Sequence, residues 1–179
     1  MVVWEKIKAM FLHHKEKGRK VMSKYTAMDI AKWFIDRNEI SVIFDGDDKM
    51  SLLKLLKLIY YAEGYSLAIN HVSLFSEPII AWEHGPVVEN VWRYYHDTPY
   101  DLKAPENAKI INPESDPETD FVLEQVYQDY RWYSAWGLRN KTHMEEPWDK
   151  ATNGGQTINT VISRDVMRDF FSKELSDEA

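Results

Sequence analysis

The sequence predicts a mainly α protein, a compact multi-helix single domain around a buried central helix, with at most a small two-stranded β element. Three observations carry that prediction. From Ser51 to Asn70 apolar residues cover nearly every face of a helical projection, a pattern that belongs to a helix enclosed by its neighbours. The stretches 26–39 and 86–96 repeat apolar residues at helical spacing along one side only. The only clear extended candidate, Ile79-Ile80-Ala81-Trp82, is a short apolar run that reads as a small strand or a connector.

Taken in order, Val3, Trp4, Ile7, Met10 and Phe11 recur at helical spacing, so the N-terminus reads as a short amphipathic helix with Lys6 and Lys8 beside the stripe. A polar linker containing Gly18 follows, and Met22 looks like a fresh domain start. The expected layout is a basic amphipathic extension over 1–21, one helical domain over 22–175 and a frayed tail over 176–179. A helix begins near Thr26, which caps its first turn with Asp29 at the positive end of the dipole, and ends around Glu39. Asp45-Gly46-Asp47-Asp48 is a turn. In the central helix Lys54 and Lys57 lie on one flank, to snorkel or to meet carboxylates, while Glu63, Ser66 and Asn70 leave the opposite one. Gly85-Pro86 then starts a helix with Pro at its first position, Val87, Val88, Val91, Trp92, Tyr94 and Tyr95 forming its apolar arc. Pro99, Pro105, Pro113 and Pro117 punctuate a connection with one more short extended piece at Lys109–Ile111. Helix resumes near Glu118 and runs to about Tyr133; Leu138 to Trp148 is irregular; Ser163 caps a last helix packed through Val166, Met167, Phe170 and Phe171.

Composition narrows the function. The chain has 179 residues, 44% of them hydrophobic, and no cysteine, which excludes disulfides, zinc ribbons, a thiol nucleophile and iron–sulfur ligation. No window approaches the run of ~18 apolar residues that a membrane span needs, so neither anchor nor signal peptide is expected, and the lack of cysteine is compatible with a reducing compartment. A net charge of −7 disfavours nonspecific nucleic-acid binding. The charge is uneven: residues 1–24 hold seven basic and two acidic side chains, and the remainder 15 basic against 27 acidic. The basic arm reads as a solvated helix, a docking element for an acidic partner or a weak nucleic-acid contact.

No local motif demands chemistry. His13-His14 are adjacent and point apart on a helix; zincin spacing, a nucleophile elbow and a phosphate-binding loop are missing. A metal site would have to be assembled in space from His84, His96 or His143 with carboxylates, and neither metal nor cofactor is expected. Glu145-Glu146 reads as surface charge, and Trp82-Glu83-His84-Gly85-Pro86 as a tight turn into a helix. Trp33, Phe121 and Trp132 leave their helices' apolar arcs. With Trp4 and Phe11 they are the candidate partner-binding residues, the alternative being a second core layer.

Lys54-Leu55-Leu56-Lys57-Leu58-Ile59-Tyr60-Tyr61-Ala62-Glu63-Gly64, then Leu74-Phe75, then Ala81-Trp82-Glu83-His84-Gly85-Pro86-Val87-Val88, together resemble the Panacea, or SocA-like, antitoxin domain. Thr142-His143-Met144-Glu145-Glu146-Pro147-Trp148 resembles that family's Thr-His segment leading to Pro-Trp, and Ile158 to Phe171 its last helix. The resemblance implies a cytoplasmic, mostly helical antitoxin of a two-gene toxin–antitoxin pair, of the kind carried by bacteria, plasmids or prophages, with no catalytic residue. Lys57, Tyr60, Trp82, His84, Gly85, Pro86, His143, Pro147 and Trp148 are its motif residues and are read as structural. The expected partner is a cognate protein toxin encoded by the adjacent gene, neutralised by direct binding. One alternative is a proteolytic adaptor that hands the toxin to an ATP-dependent protease. Another, of a different class, is a small hydrolase or metal-dependent enzyme using His84 or His143 with Glu83 or Glu145. A DNA-binding autoregulator fits the acidic body least.

Overall fold

A computed structural model of the chain describes residues 23–177; the expectations for the N-terminal helix and linker, including Trp4 and Phe11, lie outside the described residues. Helix α1 spans Ala27–Phe44. Thr26 accepts a hydrogen bond from the Asp29 amide, and Asp29 accepts one from the Thr26 amide at 2.8 Å, which closes a reciprocal cap. Ala27, Ile30, Ala31, Phe34 and Ile35 face inward as the spacing requires. The helix overruns the expected end at Glu39 because nothing breaks it before Gly46. Arg37 also fastens the last turns by donating to the buried Ser41 hydroxyl at 2.7 Å.

Helix α2, Leu52–Ile69, is capped by Ser51 and buried along all of its length except Leu53 and Lys54. Its lysines correct one expectation. Lys54 and Lys57 meet main-chain carbonyls, those of Arg131 and Pro86, where carboxylates had been an option. Gly64 explains how closely α7 (Arg164–Asp177) approaches: a Cβ there would fall 2.2 Å from the Phe171 ring. Met167, Phe171 and Leu175 of α7 complete that side of the core.

The segment after α2 is the main departure from the sequence pattern. Gly85-Pro86 does not start a helix; Gly85–Val87 is strand β2, paired antiparallel with β1, Ile80–Trp82, through Ile80 opposite Val87 and Trp82 opposite Gly85. Gly85, at φ +94°, turns the chain back on itself, and Pro86 is tolerated because β2 is an edge strand. Helix α3 begins only at Glu89 and ends at Tyr95. A third strand, β3 at Thr160–Val161, pairs with the other edge of β1, giving the order β2-β1-β3 and one strand more than expected. Two residues carry no readable period of their own.

No strand forms at 109–111; the Lys109 amide is taken by the Asp29 carboxylate at 2.6 Å and Ile111 is buried against the core. Helix α4, Pro117–Tyr130, starts from the Asp116 cap with Pro117 in its first turn and stops short of Tyr133, which leaves Trp132 and Tyr133 on the following turn. The stretch read as irregular contains two helices, α5 (Ala135–His143) and α6 (Glu146–Thr152). Their apolar period is faint because α5 buries only Leu138 and Thr142. The described residues thus contain seven helices and a small three-stranded antiparallel sheet, the mainly α fold that the sequence predicts. No helix among them is long and apolar enough to cross a membrane.

Candidate interaction site around the motif hairpin

The β1–β2 hairpin is held by side chains that grip its main-chain oxygens. The Trp148 indole donates to the Trp82 carbonyl at 3.1 Å, and the Lys57 ammonium to the Pro86 carbonyl at 2.9 Å. The Glu83 carbonyl faces His143 Nε2 at 2.9 Å and accepts from Arg139 at 3.3 Å. Gly85 is required here twice over. Its φ suits no side chain, and a Cβ would lie 2.8 Å from the Thr142 hydroxyl and 2.9 Å from Lys57 Cε. The His143 ring packs on Trp148 with centroids 3.8 Å apart, and Pro147 is buried in the first turn of α6. Six motif residues, Lys57, Trp82, Gly85, Pro86, His143 and Trp148, therefore meet at one hairpin.

Burial sets the protonation of this knot. Lys57 is wholly buried with no carboxylate against it among the described residues, and desolvation, with the Arg139 charge adding to it, pushes its ammonium down to about 7. His143 is also lowered, chiefly by burial, against the two carbonyls of Arg139 and Glu83 that favour the cation. A neutral imidazole can donate to only one of those two carbonyls.

Tyr60 belongs to a different cluster. Glu145 is buried and accepts from the Tyr61 hydroxyl at 2.9 Å and the Tyr60 hydroxyl at 3.3 Å, with the Lys141 ammonium 3.3 Å away. Desolvation pushes its carboxyl up to about 7 and drives both phenols upward as well. Glu145 is thus no surface charge, contrary to its reading in the sequence. Among the described residues the imidazoles of His84 and His143 make no hydrogen bond to the carboxylates of Glu83 and Glu145. His143 engages the main chain of Glu83, and His84 sits exposed at the hairpin tip, 5.5 Å from the Trp136 ring. No group of three or more metal-ligating side chains comes together among them either.

The fixed hairpin forms one wall of an open, mainly apolar groove of about 560 Å³, with Leu53, Leu56, Trp92, Pro99 and Ile158 around it. The Trp82 and Trp92 rings meet edge to face at 5.1 Å, and Trp92 stacks on His96 at 4.8 Å. Ile158, beside β3, and Trp136, beyond His84, are exposed by 45% and 58%. An open apolar concavity of this kind is a candidate binding surface. Nothing in the sequence pattern announces it: Leu53 and Trp92 sit on faces that read as core, and Ile158 opens the stretch that resembles the family's last helix.

The sequence candidates lie elsewhere. Trp33 is half-buried between α1 and α4, its indole donating to Asp120 at 3.0 Å, and Phe121 is half-buried on α4. Trp132 is 74% exposed, with the Arg131 guanidinium 4.5 Å over its ring.

Fold and site together define a helical domain whose recognisable residues hold a hairpin beside an apolar groove. The family model for the SocA-like antitoxin, Panacea domain, matches residues 55–149, and the chain belongs to that family. The match runs from α2 through the hairpin and α5 to the Pro147-Trp148 turn, so it takes in all nine motif residues. Neither a curated protein nor a solved structure matches the chain.

Proposed function

We propose that this chain is the antitoxin of a bacterial toxin–antitoxin pair, acting in the cytoplasm by binding its cognate toxin, the product of the adjacent gene, and that the hairpin groove is the surface it uses. The observation that carries the reading is the rigid apolar groove at the family's own motif hairpin, in a chain whose family is an antitoxin family. A standard interface buries about 800 Å² on each partner around a few aromatic or aliphatic anchors, and Trp92, Leu53 and Ile158 supply such anchors here. The acidic body, 15 basic against 27 acidic residues beyond position 24, suits a toxin with a basic substrate cleft and speeds its capture at low salt. In the same reading the domain is residues 22–175, with 1–21 as an appended arm, and it makes and breaks no bond.

Co-expression with the neighbouring open reading frame tests this. Relief of toxicity and a complex that co-purifies are expected, with both lost on Leu53→Asp or Trp92→Asp while the helical circular dichroism stays intact. Unrelieved toxicity, or a complex indifferent to both substitutions, refutes the groove as the toxin site. A toxin whose level falls only when this chain is present identifies a proteolytic adaptor instead.

A further inference from the structure

A second groove opens where the chain enters the described fold. It has a volume of about 730 Å³ and a mainly apolar lining, with Met28, Tyr94, Ala104, Pro105 and Ala108 supplying apolar surface. Thr26 and Lys109 stand at its rim, and the Lys109 ammonium donates to the Lys24 carbonyl at 3.2 Å, so the backbone at 24–26 runs along its edge. Tyr94 is 60% exposed, and Ile110, next along the chain from Lys109, is 79% exposed. This groove is not the one assigned to the toxin; none of its lining residues belongs to the hairpin groove.

We propose that the groove beside Thr26 is the docking site for this chain's own N-terminal segment, the apolar stripe Val3, Trp4, Ile7, Met10 and Phe11. Three arguments converge. The stripe ends at Phe11 and the described residues begin at Ser23, and the residues between them can span up to about 40 Å, ample to reach a groove that starts three residues further on. A tether of that length holds the segment at an effective concentration in the millimolar range at the nearest apolar surface, so a weak contact suffices. The charges also fit: Lys6 and Lys8 flank the stripe, and the groove is lined by three acidic side chains, Asp29, Asp101 and Glu106, against two basic ones, Lys103 and Lys109. Occupation of the groove covers the exposed Tyr94 wall.

The absence of cysteine makes the test direct. In the full-length chain, Phe11→Cys combined with Ala104→Cys is expected to oxidise to an intrachain disulfide that migrates as a monomer, whereas Phe11→Cys with Ile158→Cys, in the hairpin groove, forms none. Amide exchange over 94–108 gives a second readout. In a full-length Trp4→Asp/Phe11→Asp variant it is expected to speed up about tenfold relative to the wild-type chain. Unchanged exchange, disulfides formed equally at both grooves, or only interchain dimers each overturns docking within one chain. The last outcome would assign the segment to a second copy.

Discussion

Helix α2 buries one basic and one acidic side chain six residues apart, and the protein treats them in opposite ways. Glu63 is fully buried yet surrounded: Arg164 reaches it at 2.7 Å, the Leu74 amide donates at 2.8 Å and the Ser73 hydroxyl is bound as well. Lys57 is equally buried and meets a single carbonyl, that of Pro86. Desolvation penalises both charges. For Glu63 it still raises the carboxyl, against the Arg164 charge and the three donors; for Lys57 nothing opposes it, and the ammonium falls to about 7. The lesson is that burial penalises both charges, and the partners decide how much of that penalty is offset. The acid ties α7 to the loop after α2, whereas the base positions a hairpin through a hydrogen bond that a neutral amine can still donate, though more weakly.

The sharpest way to break this comparison is Arg164→Leu. It leaves a buried carboxylate without its cation and two carbonyls, those of Phe75 and Glu77, without their donor. A loss of about 3–5 kcal/mol is expected from denaturant unfolding, larger at pH 8 than at pH 5, where protonation relieves the stranded acid. An equal loss at both pH values would show that Glu63 is not the source.

Next in size is Glu145→Gln. The folded state holds this proton up to about 7, above the usual carboxylate value of 4.5, so Glu145's contribution to stability is full below pH 4.5 and is lost as pH rises through 7. The variant keeps an acceptor for Tyr60 and Tyr61 and should be more stable than the parent at pH 8, by roughly 2–3 kcal/mol, with the gap closing toward pH 4.5. A gap that does not change with pH would remove the buried acid from the account.

Lys57→Met sharpens the comparison from the other side. A base depressed by folding contributes stability that is complete above its unfolded value of 10.5 and is lost as pH falls through 7. The variant should lose only about 1–2 kcal/mol at pH 7, mainly for the orphaned Pro86 carbonyl, and should lack the parent's gain in stability between pH 7 and 9.5. A loss as large as that for Arg164→Leu would mean that Lys57 is charged and paired after all. The smallest effect is expected for Trp148→Phe, about 1 kcal/mol, because it removes one hydrogen bond to the Trp82 carbonyl and keeps most of the packing. Toxin binding, measured alongside, should weaken more than stability does if the groove wall depends on that bond.

Much of the helical frame was legible. Thr26 reads as a helix cap with Asp29 at the positive end of the dipole, and a stretch that is apolar all round between Ser51 and Asn70 has no place except the centre. The hairpin was not legible, because a proline after a glycine and before a one-sided apolar run is also what a helix start looks like. Only pairing with Ile80–Trp82 decides between them. Helices α5 and α6 escaped detection because hydrogen bonds from Trp148, His143 and Arg139 hold them in place as much as an apolar stripe does. For the candidate site, six of the residues that carry the family resemblance meet at the hairpin, but the contacts of Lys57, His143 and Trp148 with three hairpin carbonyls have no sequence signature. The groove anchors Leu53 and Trp92 lie on arcs that read as buried, since a groove is core surface that no neighbour happens to cover.

What the sequence determined alone is what depends on neighbours a few residues away: the caps, the apolar faces, the central position of α2 and the absence of thiol chemistry. Tertiary structure decided everything that depends on which distant group comes within 3 Å. Lys57 meets a carbonyl and not a carboxylate, Glu145 sits under two phenols, Thr160–Val161 becomes a strand, and an apolar surface stays open beside the hairpin. The reason is physical. Periodicity and capping are settled within a turn or two of helix, whereas the desolvation and partnering of a buried charge are set by atoms that the chain brings together only after it folds.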